Sequence, residues 1–245
     1  MRHYLPELVA LPMLPFLILQ GKRTRRLTPR LPEAAGPAHG LTGAQFDGLP
    51  LRLLGVGESP IAGVGVATYD EAITGQFAAA LSVRLRRPVA WRACGKNGVT
   101  AAEALEQVVP TIPVARVDIA LIAFGVNDTT AFQPATRWRR DLSAILAAIE
   151  QRCSPTLTIV SGVPPMAHFP ALPQPLRHVM GLKAQTLDAV ARTLVAQYAP
   201  GTLHIPLALD VRDRALMASD GYHASAAGCA AWANLLAQAA GSHLR

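Results

Sequence analysis

The stretch "VDIALIAFG", residues 117–125, is apolar from Ile119 to Phe124 and ends on a glycine followed by "VNDT". A run with no polar alternation has no face to offer to water, so it reads as a strand buried on both sides, as in a parallel sheet. Working outward, shorter runs of the same kind recur. "LRLLGV" (51–56), "VAWRAC" (89–94), "TLTIVSG" (156–162) and "TLHIPLA" (202–208) read as further strands. Between them lie segments with helical apolar spacing: "DEAITGQFAAALSVRLRR", "TAAEALEQVV", "TRWRRDLSAILAAIEQR", "LRHVMGLKAQTLDAVARTLVAQYA" and the closing "SAAGCAAWANLLAQAA". The alternation predicts an α/β domain, a parallel sheet covered by helices on both faces.

Bulk properties bound what such a domain does. The 245 residues are 51% hydrophobic and 16% charged, enough for one sizeable core or two small ones. The net charge is +7, but Arg2, Lys22, Arg23, Arg25, Arg26 and Arg30 stand against Glu7 alone in residues 1–30, which therefore carry +5 and leave +2 for the rest. With aromatics at 5% there is no basic face interleaved with stacking rings, and nucleic acid is not an expected partner. Cys94, Cys153 and Cys229 lack CxxC or Cys/His spacing, so no disulfide framework or metal site is expected; an unpatterned set suits a reducing compartment.

The first fifty residues read as an N-terminal arm and linker, with a single folded domain from 51 to 245. "LVALPMLPFLIL" (8–19) is apolar but shorter than the roughly 18 to 20 residues that span a bilayer. The flanking "QGKRTRR" is unlike a signal-peptidase site. An apolar segment beside a polybasic one suits attachment to an anionic membrane surface through residues 1–30, with the domain on the cytoplasmic side. Packing of the arm on its own domain, and export behind a cleaved signal, are the alternatives. Residues 27–50, rich in Pro and Gly, read as an irregular linker.

Polar residues gather where the predicted strands end, which is where parallel sheets bind ligands. Ser59 follows the first strand in "GES", Asn97 and Gly98 follow the second in "GKNGVT", Asn127 and Asp128 follow the third in "GVNDT", and Asp220 and His223 lie in "SDGYHAS". Each alone reads first as turn or helix-cap chemistry. Together they supply a hydroxyl, an imidazole, a carboxylate and neutral donors, the inventory of acyl transfer. Asp220 and His223 stand three apart around Gly221, so the carboxylate reaches one ring nitrogen and leaves the other to take a proton.

These blocks, "GES" with Gly63 following, "NGVT", "GVND" and "DGYH", resemble in order the four signatures of the SGNH hydrolases, the GDSL esterases and lipases. The resemblance spans about residues 51–240. It implies a flavodoxin-like three-layer α/β/α sandwich with a five-stranded parallel sheet. It implies Ser59 as nucleophile, His223 as general base and acid, and Asp220 as its orienter. The N–H groups of Ser59 and Gly98 and the Asn127 amide would form the oxyanion hole. Two positions depart from the pattern: Glu58 replaces the usual Asp, and Ala224 the proline that often follows the histidine. Glu58 is expected to support the loop without entering the chemistry.

A serine hydroxyl attacks only when an imidazole takes its proton, and the resulting oxyanion needs donors already in place. No metal or organic cofactor is implied. The expected activity is hydrolysis of short- to medium-chain acyl esters. Lysophospholipase or thioesterase, and carbohydrate deacetylase, are the alternatives within enzymes; a noncatalytic binding module of the same fold is the alternative outside them. "VPPMAHFPALPQP" (163–175) holds five prolines in thirteen residues, and Met166, Phe169 and Leu172 are candidates for a substrate pocket wall. "GVGVATYD" (63–70) lacks the Walker lysine and the GxGxxG pattern, so a nucleotide cradle is not supported.

Overall fold

The computed structural model describes residues 5–244. Six strands form one sheet: β1 (His39–Thr42), β2 (Leu51–Gly57), β3 (Val89–Gly95), β4 (Ile119–Ala123), β5 (Leu157–Ser161) and β6 (Thr202–Ile205), in the order β1-β3-β2-β4-β5-β6. All neighbours run parallel except β1, which pairs antiparallel with β3. In register, Gly57 lies beside Gly95 on one side and Ala123 on the other, so β2, β3 and β4 end level and their following loops share one rim. Gly57 must lack a side chain, because a Cβ there would strike the Ala123 carbonyl oxygen.

Every residue of β4 and β5 is buried, as the unalternating apolar run of β4 requires; in β5 the burial takes in Thr158 and Ser161 as well. Successive side chains feed opposite layers. Leu54, Val56, Ala120 and Ile122 face the core under α4 (Ala101–Gln107), α6 (Ala135–Cys153) and α7 (Leu176–Ala196). Leu53, Ile119 and Leu121 face the core under α3 (Ile73–Leu85) and α8 (Ala226–Gly241). The result is the expected three-layer α/β/α sandwich. Helix starts are locally encoded: Thr100 and Glu103 form a reciprocal capping box on α4, and Ser225 caps α8 by accepting from the Gly228 N–H. A short helix, α5 (Val126–Thr130), follows β4 directly.

The sheet has six strands where five were expected, because the linker supplies β1. Its four residues alternate between exposed and half-buried and carry no apolar pattern; pairing with β3 alone makes them a strand. The rest of the linker is also tied down. Ala34 and Ala35 donate to the carbonyls of Ala62 and Ala67, and Glu33 Oε1 accepts from the Asn97 N–H at 2.8 Å.

The arm is helical from Leu5 to Leu27, as α1 (Leu5–Ala10), a 3-10 turn (Leu11–Met13) and α2 (Leu14–Leu27), each of the latter two opening with a proline in its first turn. The run is longer than the apolar stretch alone suggested, and by length and composition it meets the test for a membrane span, which a signal sequence also meets. It docks along α7. Ala10 and Leu17 are buried, Gln20 donates to the Gln174 carbonyl and accepts from the Leu176 N–H, and Glu7 pairs with the fully buried Lys183, whose Nζ also lies 4.8 Å over the Phe132 ring. Its other side carries Leu8, Leu11 and Leu19, each about two-thirds exposed at 67%, 69% and 64%.

Candidate active site

Ser59 stands two residues past β2 in a tight turn, where the N–H groups of Ile61 and Ala62 donate to the Glu58 carbonyl and that of Val64 to the Ser59 carbonyl. The turn packs against the C-terminal site segment: a side chain on Gly65 would collide with the Ala224 carbonyl and the His223 Cβ. In that segment Asp220 Oδ2 lies 2.6 Å from His223 Nδ1, and its Oδ1 accepts the N–H groups of Tyr222 and His223 at 2.9 and 3.0 Å. Burial opposes ionisation of Asp220, but the hydrogen bonds from His223 and Tyr222 outweigh it and hold the carboxyl below its ordinary range. With Nδ1 held, Nε2 is left for a second partner.

Tyr222 stacks edge-on between Phe169 and His223, with ring centroids 5.3 and 5.4 Å away. Burial drives its phenol well above its ordinary value. The proline-rich loop is bound to the same turn through the Ala171 N–H and the Gly221 carbonyl, 3.1 Å apart, with Gly221 in the left-handed region at φ 63°.

Asn127 and Gly98 complete the rim. Gly98 has φ 81° with open space where a side chain would be, and its N–H, like that of Ser59, meets no acceptor among the described residues. Glu58 is fully buried and collects three donors: the N–H groups of Val126 and Asn127 at 2.8 and 3.0 Å, and Asn127 Nδ2 at 2.6 Å. Asn127 Nδ2 also donates to the Val99 carbonyl at 3.1 Å. Burial pushes Glu58 up to about 8, with the three hydrogen bonds opposing the rise. Asp128 is buried and accepts the Ala101 N–H at 3.0 Å, capping α4 and not the turn that follows it; burial raises it to about 6.

Two cavities meet at His223 and Tyr222. A small one of about 40 Å³ is bounded by Ser59, His223 and Phe169, and a large one of about 760 Å³ by Gly98, Asn127, His223 and Leu172. Ser59, His223 and Asp220 are thus brought together, as are Gly98 and Asn127. No hydrogen bond joins Ser59 Oγ to the His223 ring among the described residues. Of the proposed wall residues Phe169 and Leu172 each line a cavity. Met166 does not: it is wholly buried in the core against α7, beneath the loop it belongs to.

Several contributors escaped the sequence reading. Glu58 was expected only to brace the loop, but it grips the Asn127 amide. His204, which has no partner within reach in sequence, lies 2.9 Å from Asp188, and that carboxylate also accepts the Val163 N–H, tying β6 and α7 to the start of the proline-rich loop. The arm walls the large cavity with Leu14, Leu17, Ile18, Lys22 and Arg25. Its helical spacing was the available signal. The three cysteines are free and buried.

A three-layer α/β/α domain with a serine, an aspartate-bound histidine and free backbone donors on one sheet rim defines a hydrolase-type architecture. Residues 56–231 match the model of the GDSL-like lipase/acylhydrolase family, and the chain belongs to that family. A search of curated proteins finds no match. Among solved structures, the fold is shared with the lipase/acylhydrolase of Enterococcus faecalis (TM-score 0.59, 19% identity, 80% of this chain and 97% of that one). It is shared with a lipase from a goat rumen metagenome (TM-score 0.57, 18% identity, 77% and 97%). It is shared also with a carbohydrate esterase family 2 enzyme carrying a carbohydrate-binding domain, from Corynascus thermopiles (Myceliophthora fergusii) (TM-score 0.59, 13% identity, 79% and 66%). At these identities the likeness is one of fold.

Proposed function

We propose that the chain is a serine esterase that cleaves short- to medium-chain carboxylic esters through an acyl-enzyme. The observation that carries this is the His223–Asp220 pair at 2.6 Å, with His223 bordering the same small cavity as Ser59 at the sheet's carboxyl rim. As Ser59 Oγ bonds to the ester carbonyl carbon, its proton passes to His223 Nε2, after a side-chain rotation that closes the Ser–His contact. The carbonyl oxygen becomes an anion and accepts from the N–H groups of Ser59 and Gly98. Asn127 turns one amide hydrogen from Val99 to the oxyanion, while Glu58 keeps the other. Collapse expels the alcohol, protonated by His223, and water attacks the acyl-enzyme by the same route in reverse, releasing acid and free Ser59. Asp220 holds the imidazole tautomer throughout.

The large, mostly apolar cavity favours lipid-like esters, of the lysophospholipid or acyl-thioester kind, over the acetyl groups of carbohydrates. The outward row of Leu8, Leu11 and Leu19, with exposed Arg23 and Arg26 beyond it, supports seating of the arm on an anionic membrane surface from the cytoplasmic side. A p-nitrophenyl ester series from acetate to palmitate, on wild type and Ser59→Ala, tests the reading. Turnover is expected in the wild type and lost in the variant; turnover surviving in Ser59→Ala rejects Ser59 as nucleophile. Complete inertness of the wild type favours the noncatalytic module.

A further inference from the structure

Leu5–Leu27 and the segment running on to Leu31 lie outside the matched residues 56–231, yet they form one wall of the 760 Å³ cavity that contains Gly98, Asn127 and His223. We propose that this wall is a substrate subsite for a single-chain ester amphiphile with a phosphate headgroup, the chain lying along Leu14, Leu17 and Ile18 and the phosphate meeting Lys22 and Arg25. The proposal rests on the esterase reading and names its substrate class.

Four observations lead to it. The cavity's volume falls within the range of about 300–1,000 Å³ that binds small organic ligands. Its lining changes character along the helix: apolar at Leu14, Leu17 and Ile18, facing Val179 and Met180 of α7, then cationic at Lys22 and Arg25, with Arg30 beyond. From Leu14 to Arg25 is about 16 Å at 1.5 Å per residue, so one elongated molecule can touch both ends. Leu14 and Ile18 are 45% and 48% exposed, and covering them with an acyl chain gains roughly 25 cal/mol per Å².

The charges at the other end are unclaimed. Lys22, Arg25 and Arg30 form no ion pair among the described residues. Among those residues the only carboxylate on the lining is Asp220, which is committed to His223 and two backbone N–H groups. All four cations of the basic run are exposed, but the helix divides them by direction: Lys22 and Arg25 line the cavity, whereas Arg23 and Arg26 do not. A bilayer is met by the second pair and a bound headgroup by the first.

The test is binding to full-length Ser59→Ala protein by titration calorimetry, below the micelle concentration, with dodecyl phosphate, dodecyl maltoside and inorganic phosphate. Because nothing is turned over, the result is independent of whether the chain hydrolyses esters, which the p-nitrophenyl series reads separately. Dodecyl phosphate is expected to bind at least tenfold more tightly than dodecyl maltoside and inorganic phosphate at least a hundredfold more weakly. Adding Lys22→Glu and Arg25→Glu should abolish the preference for the phosphate head, and the milder Lys22→Gln and Arg25→Gln should halve it at least. Arg23→Glu with Arg26→Glu should leave it in place. Equal affinity for the two detergents overturns the proposal. So does inorganic phosphate binding as tightly as dodecyl phosphate, or a preference lost equally on reversing Arg23 and Arg26.

Discussion

Replacing Asp220 by Asn separates the chemistry of the site from its folding. In the native site Oδ1 accepts two backbone N–H groups at 2.9 and 3.0 Å while Oδ2 takes the His223 Nδ1 hydrogen at 2.6 Å. An asparagine keeps its carbonyl oxygen on the backbone donors, which places its NH₂ against Nδ1. A donor there forces the imidazole into the other tautomer, with the hydrogen on Nε2, and a protonated Nε2 cannot accept the Ser59 proton. The same exchange in a serine protease lowers kcat about 10⁴-fold, equivalent to about 5.5 kcal/mol of barrier. Folding loses much less. Two backbone hydrogen bonds survive, the third is remade with its polarity reversed, and the cost is the charge assistance, about 1–2 kcal/mol. The variant should also lose an acid-side dependence. Because folding holds Asp220 below its ordinary 3.8, its contribution is full above that value and is lost as pH falls through the folded value. The assay pairs steady-state kinetics on a p-nitrophenyl ester with urea unfolding at neutral and acid pH. A kcat within tenfold of wild type refutes the reasoning, because His223 would then owe nothing to Asp220.

Three further perturbations bear on other parts of the account. Glu58, pushed up to about 8, keeps a proton in the folded state that the unfolded chain releases near 4.5, so wild-type stability should fall as pH rises between these values by up to about 1.4 kcal/mol per unit; Glu58→Gln should flatten that decline in urea titrations, and an unchanged slope contradicts it. Gly98→Ala has room for its methyl but not the backbone for it at φ 81°, so it should cost about 1–2 kcal/mol of stability and lower kcat tenfold or more with little change in KM; wild-type kinetics would remove Gly98 from the oxyanion hole. Glu7→Ala strands the buried Lys183 ammonium and should destabilise by about 3–5 kcal/mol, seen as faster tryptic cleavage in the Lys22–Arg26 stretch, and adding Lys183→Met should restore resistance; equal cleavage in all three proteins contradicts a docked arm.

The sheet and its helices were legible where burial leaves a periodic mark. β4 is apolar throughout because both faces are covered, β5 is nearly so with Thr158 and Ser161 buried among its apolar residues, and α6 and α7 repeat their apolar residues at helical spacing because one face is covered. The site was legible because three of its blocks sit at the ends of β2, β3 and β4, which the parallel topology brings to one rim, and because the fourth, well past β6, holds a carboxylate and an imidazole three residues apart. What stayed hidden depends on pairing between distant segments. β1 owes its existence to β3 and has no pattern of its own. Lys183 has the spacing of an ordinary polar residue in a helix, and its partner Glu7 lies 176 positions away. Glu58 differs from aspartate by one methylene, and its grip on Asn127 shows only once β2 and β4 lie side by side. Met166 looked like pocket lining because it lies in the loop, yet that loop turns it into the core.

The central claim is that Ser59 becomes covalently acylated with the help of His223. Intact-protein mass spectrometry after treatment with a fluorophosphonate reads this directly. The account predicts one phosphonyl adduct, mapped to Ser59 on a peptide, absent from Ser59→Ala and at least a hundredfold slower to form in His223→Ala. An adduct on another residue, or labelling of Ser59 at the wild-type rate without His223, contradicts it.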